Sequence, residues 1–276
     1  MDSRIRPLKR LGQNFLTNVG IQKGMIHALA LCPEDLVLEI GPGKGALTDH
    51  MVQKVKHIIV VEKDRRLSEY LKKKYQMDPA IKVICEDILS YDLTLDFKKS
   101  GKIKVIGSLP YYITSQILFY LINYRFRIDR AVLLVQKEVG RRIVASPGTK
   151  EFGALTVAMQ YYTRTKIIRH VPAGSFWPRP GVTSSLIQVM MRPQSEEKGL
   201  ADEEGFFCFN KMMFCKRRKI ILGSLFRHVT PHLPKQKLSA ILAHCDINPQ
   251  NRYEKLDLEH MILLYNGLQH QGGRHL

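Results

Sequence analysis

Apolar residues in the first two thirds of the chain fall into two alternating kinds of segment. Short apolar runs at 36–40, 57–62, 81–85, 103–107, 131–136, 166–170 and 185–191 predict strands. Between them, stretches such as 21–31, 45–55 and 66–74 space their apolar residues three to four apart and predict helices. This alternation predicts βαβ units and a mostly parallel sheet of seven strands, an α/β fold. The last two runs are joined by a loop, which predicts an antiparallel pair closing one edge. A polar, acidic stretch, 192–205, reads as a linker, and beyond it 206–227 and 235–268 carry only helix-period apolar residues. Two domains are expected: 1–195, α/β, and 196–276, small and helical.

Composition adds a partner class. The 276 residues are 45% hydrophobic, enough for a sizeable core, yet 43 Lys and Arg against 25 Asp and Glu leave a formal charge of +18. A surface this basic attracts polyanions, nucleic acid first and an anionic membrane surface second. The charge is uneven: 31 basic and 16 acidic residues give +15 in 1–195, whereas 12 and 9 give +3 in 196–276. Lys216-Arg217-Arg218-Lys219 is the main basic run of the tail and is expected on a helix. Arg4, Arg6, Lys9 and Arg10 form a basic N-terminal arm. No apolar run is long enough to span a bilayer, and no signal or transit segment is read, so a soluble cytoplasmic protein is expected. Five scattered cysteines without a C-x-x-C, and ten histidines without ligand spacing, assign neither disulfide nor metal and fit a reducing compartment.

The candidate chemistry starts at the end of the first βαβ strand. There Leu36-Val37-Leu38-Glu39-Ile40 runs into Gly41-Pro42-Gly43-Lys44-Gly45-Ala46 and then a helix, a glycine turn that meets a ligand at a helix N-terminus. Gly41, Gly43 and Ala46 satisfy a dinucleotide fingerprint, while Glu39-x-Gly41-x-Gly43-x-Gly45 resembles motif I of S-adenosylmethionine (SAM) methyltransferases. Both classes place a carboxylate near the end of the next strand, and Glu62 stands 21 residues after Gly41, suited to ribose hydroxyls. Three further features separate them. Cys85-Glu86-Asp87-Ile88 puts a carboxylate after the third strand, where it suits an adenine amino group. Ser108-Leu109-Pro110-Tyr111 closes the fourth strand, and Gln13-Asn14-Phe15-Leu16 precedes the first helix. A dehydrogenase requires none of these.

This ordered set resembles the rRNA adenine N6,N6-dimethyltransferases of the KsgA type, which share their architecture with the macrolide-resistance methylases and mitochondrial transcription factor B. Gln136-Lys137-Glu138-Val139, the stretch 153–162, the stretch from Phe176-Trp177-Pro178 to Ser185, and Arg217-Arg218-Lys219 extend the resemblance over nearly the whole chain. It implies a Rossmann-like SAM-dependent methyltransferase sheet with a small C-terminal α-helical domain for RNA or ribosome recognition. By the same resemblance Asn14, Leu16, Gly41, Gly43, Glu62, Asp87 and Ser108 hold SAM. Ser108, Leu109, Pro110, Tyr111 and Phe176 form the catalytic set, the first two as acceptors for the target amino group and the aromatics as stacking faces.

Asn14 and Leu16 also have a bland reading, a polar cap with a hydrophobic staple. Lys137, Arg141 and Arg142 are candidates for holding the RNA backbone, or simply one exposed helix face. Trp177 is expected at a rim. The family usually carries Asn where this chain has Ser108; a hydroxyl still accepts a hydrogen bond, with shorter reach, so activity is expected to be retained. The implied activity is dimethylation of two adjacent adenines near the 3′ end of small-subunit (16S) rRNA during ribosome biogenesis. The implied partner is rRNA in a 30S pre-ribosomal particle, with no membrane partner and a monomeric enzyme. A resistance-type methylase of large-subunit rRNA shares these features, as does a ribosome-assembly or nucleic-acid-binding factor whose catalysis Ser108 leaves weak.

Overall fold

The computed structural model describes residues 5–8, 11–96, 101–193, 196, 200–229 and 233–270. In chain order the elements begin with β1 (Phe15–Leu16), α1 (Val19–Leu29), β2 (Leu36–Ile40), α2 (Thr48–Met51), β3 (His57–Val61), α3 (Arg65–Lys74) and β4 (Ile81–Ile84). They continue with α4 (Leu93–Asp96), β5 (Ile103–Ser108), α5 (Thr114–Asn123), β6 (Ile128–Gln136), α6 (Lys137–Ile143) and α7 (Ala154–Tyr162). After β7 (Thr163–Val171), β8 (Phe176–Trp177) and β9 (Ser184–Met191) come the helices α8 (Glu203–Phe214), α9 (Ile221–Ser224), α10 (Lys235–His244) and α11 (Leu258–His270). Arg4, Lys9 and Arg10 of the basic arm, and 194–195 and 197–199 of the expected linker, lie outside the described residues.

The main sheet has seven strands in the order β4-β3-β2-β5-β6-β9-β7, the Rossmann-like arrangement expected. All neighbours are parallel except β9, which runs antiparallel to both β6 and β7. Parallel strands covered by helices on both faces are expected to be largely apolar. Accordingly Val37, Leu38, Ile58, Val60, Val105, Ile106, Val132 and Leu133 are each 0 or 1% exposed. On one face α1 contributes Met25 and Leu29, both at 0% exposure, to a core shared with Val37, Val60 and Ile106. The chain runs outward from β2 to β4 and then crosses to β5 on the other side of β2. The carboxyl ends of β2 and β5 therefore diverge at a topological switch point, where open α/β sheets hold ligands.

The helix expected over 45–55 shrinks to one turn, α2. Gly41, Gly43 and Gly45 have φ of +65°, +61° and +82°, so the segment before Thr48 is a loop rather than helix. A pairing missed in the sequence joins β1 to β8, with Phe15 opposite Trp177 and Leu16 opposite Phe176. Two-residue strands carry no alternation that periodicity detects.

The described residues divide into two compact units, one within 1–140 and 163–194, the other within 141–162 and 195–276. Residues 141–162, assigned above to the larger domain, thus group with the helical residues. Within that second unit the reason is visible: the Tyr161 and Tyr162 hydroxyls donate to Glu203 at 3.2 and 2.6 Å, and the Tyr161 ring packs edge-on to Phe207. Asn210, 1% exposed, donates to the Phe206 carbonyl at 2.8 Å and accepts from the Tyr253 hydroxyl at 2.7 Å. Helix α8 starts inside the expected linker, because Asp202 caps it by accepting from the Gly205 N–H at 2.9 Å. The basic run 216–219 is not helical: it lies in turns between α8 and α9. There Arg217 pairs with Glu254 at 2.8 Å and donates to the Lys150 and Thr149 carbonyls, so it knits the unit together.

Candidate active site

A cavity of about 480 Å³ opens over the carboxyl ends of β2, β3 and β5. Asn14, Leu16, Gly41, Gly43, Glu62, Asp87, Ser108, Leu109, Pro110, Tyr111 and Phe176 all line it. Gly41, Glu62, Asp87 and Ser108 converge there because the parallel strands β2, β3, β4 and β5 point their C-terminal ends the same way, whereas Asn14, Leu16 and Phe176 come from the β1–β8 pair and the residues before it.

The β2 turn is shaped by contacts as well as dihedrals. A Cβ on Gly43 would sit 2.9 Å from the Phe15 ring, one on Gly45 would collide with the Tyr75 hydroxyl, and one on Gly41 would meet nothing within 4 Å. Gly41 therefore faces open space, whereas Gly43 and Gly45 are packed against protein. Just past β3, Glu62 is 6% exposed and accepts from the Gly43 N–H at 3.2 Å and the Asp64 N–H at 2.9 Å. Those two bonds tie the glycine turn to the β3 end and aim the carboxylate. Asp87 accepts from the Leu89 N–H at 3.0 Å and pairs with Lys63 at 2.6 Å.

Burial sets the electrostatics. Desolvation pushes the Glu62 carboxyl up to about 7, against the pull of its backbone hydrogen bonds. Glu39, beneath the turn at 1% exposure, is pushed up to about 8 by burial although Thr48 Oγ1 donates to it at 2.6 Å. Asp64 goes the other way: hydrogen bonds from Arg66 outweigh burial, and with Gln13 hold its carboxyl down to about 2. Burial also raises Asp87, but Lys63 and the Leu89 N–H outweigh it and leave the carboxyl below its usual range.

A pH dependence follows from the two raised groups. Folded Glu39 and Glu62 hold protons that an unfolded chain releases near pH 4.3, so folding takes up protons in between. Stability of the ligand-free protein is therefore expected to fall from about pH 4.5 up to about pH 8 and to level off above. Each pH unit in that window costs up to about 1.4 kcal/mol per group. Thermal melts at pH 5.5 and pH 8 check this: Tm should be several degrees lower at the higher pH, and a flat or rising Tm contradicts it.

At the β5 end, the Leu109 N–H is used by the Leu134 carbonyl at 3.0 Å, and the Pro110 carbonyl accepts from Thr114 Oγ1 at 3.0 Å. Ser108 is half-buried, and among the described residues its hydroxyl has no protein partner. The Tyr111 hydroxyl shares a 2.9 Å hydrogen bond with Ser184 Oγ, which holds its ring. Phe176 lines the cavity from β8 at 5% exposure, while Trp177 is 53% exposed.

Asn14 does not cap α1. That role belongs to Asn18, whose Oδ1 accepts from the Ile21 N–H at 3.0 Å; Asn14 instead donates to the Gly12 carbonyl at 3.1 Å. Arg141 and Arg142 lie exposed on α6. The sequence reading quoted Gln13 in a motif without a role, and that residue ties the Leu8 N–H at 2.7 Å to Asp64 at 3.0 Å; the reading missed Gln22 and His50, which also line the cavity. Polarity on the otherwise apolar stripe of α1 was the available signal for Gln22. Among the described residues no group of three His, Cys, Asp or Glu is placed to hold a metal, and no helix is long and apolar enough to cross a membrane.

The sheet order, with one reversed strand near the edge and the glycine turn at the switch point, is that of the Rossmann-like methyltransferase fold. The family model for ribosomal RNA adenine dimethylases matches residues 6–270, and the chain belongs to that family. It is 37% identical to the ribosomal RNA small subunit methyltransferase A of Koribacter versatilis (strain Ellin345), covering 96% of each chain. Identity to the protein of the same name from Geobacillus sp. (strain WCH70) is 36%, over 95% of this chain and 91% of the relative. Among solved structures, a dimethyladenosine transferase from Plasmodium falciparum superposes with a TM-score of 0.82 at 24% identity, covering 94% of this chain and 98% of that one. The 23S rRNA methyltransferase ErmE gives 0.70 at 24% identity, over 93% and 100%. At that identity these two likenesses are of fold.

Proposed function

We propose that the protein transfers methyl groups from SAM to the exocyclic N6 of two adjacent adenines near the 3′ end of small-subunit rRNA, two to each base. The observation that carries this reading is the meeting, on one cavity, of the Gly41, Glu62 and Asp87 strand ends with the Ser108-Leu109-Pro110-Tyr111 strand end. The relatives at 36 and 37% identity are named for the small subunit, which favours that target over the large subunit. The same reading has the enzyme act as a cytosolic monomer on a 30S pre-ribosomal particle, with the unit containing α8–α11 serving recognition.

The residues present fit SAM. Gly41 leaves open space at a φ of +65°, the place where a ligand approaches the backbone closely. Glu62 offers buried carboxylate oxygens to ribose hydroxyls, Asp87 an acceptor to the adenine amino group, and Asn14, Leu16, Gly43 and Ser108 complete the cradle. When bound, SAM supplies an electrophilic methyl on sulfonium sulfur.

The chain's own residues deal with the nucleophile. An adenine amino lone pair is delocalised into its ring. In the first transfer two acceptors holding the two amino hydrogens draw the nitrogen toward tetrahedral geometry and free that pair; in the second, one of them holds the single hydrogen that remains. Ser108 Oγ and the Leu109 carbonyl are those acceptors: the hydroxyl has no partner among the described residues, and the neighbouring Pro110 carbonyl is already engaged by Thr114. Pro110, with no N–H, stiffens the turn. Tyr111 stacks on the base with its hydroxyl anchored to Ser184, and Phe176 supplies the second face. Each transfer replaces one amino hydrogen, and the proton leaves to solvent. Positioning and preorganised acceptors supply the rate without a strong base.

A mass count of methyl groups on small-subunit rRNA after incubation with protein and SAM tests the reading. Two on each of two adjacent adenines are expected; no incorporation, or incorporation into large-subunit RNA alone, overturns it. Stacking is checked separately. Tyr111→Ala removes one face and is expected to weaken RNA engagement about tenfold, within the roughly 1–3 kcal/mol of a base–aromatic stack. An unchanged KM for RNA argues against it.

A further inference from the structure

Helix α1 buries Ile21, Met25, Ile26 and Leu29 at helical spacing, and Gln22 sits among them at 6% exposure. A buried amide is costly unless its donor and acceptor are both used. Here both are. Gln22 Nε2 donates to the Leu16 carbonyl at 2.8 Å, and Gln22 Oε1 lies 3.1 Å from His50 Nε2. A carbonyl only accepts, so the Leu16 end must receive the amide N–H; the oxygen is then left for His50, which must carry its proton on Nε2. The orientation of all three groups is thus determined by one backbone carbonyl. Leu16, Gln22 and His50 all line the cavity, from β1, from α1 and from the residue before Met51 at the end of α2.

A second feature makes the Leu16 carbonyl worth holding. Strand β1 is two residues long and is paired on one side only, to β8, and the Thr17 and Asn18 N–H groups extend that same side to the Ser175 carbonyl at 2.9 and 3.3 Å, so its sheet bonds hold one side alone. The Gln22 bond ties that short strand to a well-packed helix, and His50 ties the amide to the element that follows the glycine turn. An apolar residue at position 22 would fill the same stripe of α1 and do neither.

We propose that Gln22 and His50 are positioning residues for SAM: they form a relay that holds the Leu16 main chain in register with the Gly41 turn, so that both walls of the cofactor cradle stand ready before SAM arrives. This rests on the assignment of the cavity to SAM made above. The relay touches no reacting atom, and its effect falls on cofactor affinity rather than on the chemical step.

The experiment is SAM binding by titration calorimetry on the full chain without RNA, paired with steady-state kinetics on small-subunit rRNA. Gln22→Met keeps the volume and removes both polar ends. It is expected to raise the SAM Kd and the KM for SAM about tenfold, while kcat at saturating SAM changes less than about twofold and the KM for RNA stays put. His50→Leu leaves Gln22 in place with one bond lost and should raise the SAM Kd about threefold, which keeps the test open if Gln22→Met folds poorly. Wild-type SAM affinity retained in both variants overturns the relay alone. Equal losses in kcat and in both KM values assign the pair a merely structural role and overturn it too. A wild-type protein that binds no SAM overturns the cofactor assignment together with the relay.

Discussion

Ser108→Ala is expected to lower methyl transfer about 10²- to 10³-fold, the scale seen when one preorganised polar contact to a reacting centre is deleted. The fold should survive the change. Ser108 is half-buried at the tip of β5, and its hydroxyl has no partner among the described residues, so its removal leaves no buried group unpaired. Tm within a degree or two of the parent and a SAM Kd raised far less than kcat falls are the expected signature. Full activity in Ser108→Ala would sink the assigned role. Ser108→Asn is the informative companion, since it restores the residue usual in the family at this position; it is expected to methylate at least as fast, because the amide oxygen reaches further toward the base.

The second large effect is at Glu62. Its carboxylate is the acceptor proposed for the ribose hydroxyls, and a hydrogen bond to a charged group contributes roughly 1.5–3 kcal/mol. Glu62→Ala should therefore raise the SAM Kd about 10- to 100-fold. The alanine also strips partners from the Gly43 and Asp64 N–H groups, so some loss of stability is expected with it. A pH titration separates the two effects. Because burial holds the Glu62 carboxyl up to about 7, wild-type SAM affinity should rise as pH increases through about 7, when the acceptor becomes charged. Glu62→Gln, which does not titrate, should lose that rise. Calorimetry between pH 6 and pH 8 is the measurement, and an identical slope in the two proteins would place the pH dependence elsewhere.

The elements most legible in the sequence are those whose signal is local. Strands such as Leu36–Ile40 and Ile103–Ser108 are buried on both faces, so they show as apolar runs broken only by Glu39 in the first and by Lys104 and the terminal Ser108 in the second, and the glycine turn shows as a run of residues that tolerate positive φ. The candidate residues at strand ends that line the cavity were readable for the same reason. The element over 45–55 was misjudged because its apolar spacing is helical while Gly45 at its start and Gln53 near its end are held in the left-handed region. The basic run at 216–219 looked like a solvated helix face, yet Arg217 spends its guanidinium on Glu254 and on two carbonyls that are distant in sequence.

By itself the sequence determined the class of fold, the motif order that marks the family, and which residues are chemically able to hold a nucleoside or an amino group. Only the tertiary structure decided how those residues are tuned and held. Burial, a property of packing rather than composition, raises Glu62 and Glu39, while hydrogen bonds from Arg66 and Gln13 hold Asp64 low and those from Lys63 and the Leu89 N–H hold Asp87 low. Pairings between distant segments, β1 with β8, Tyr111 with Ser184, and Gln22 with Leu16 and His50, have no local pattern, because a hydrogen bond across the fold depends on where the backbone brings two groups and not on their spacing along the chain.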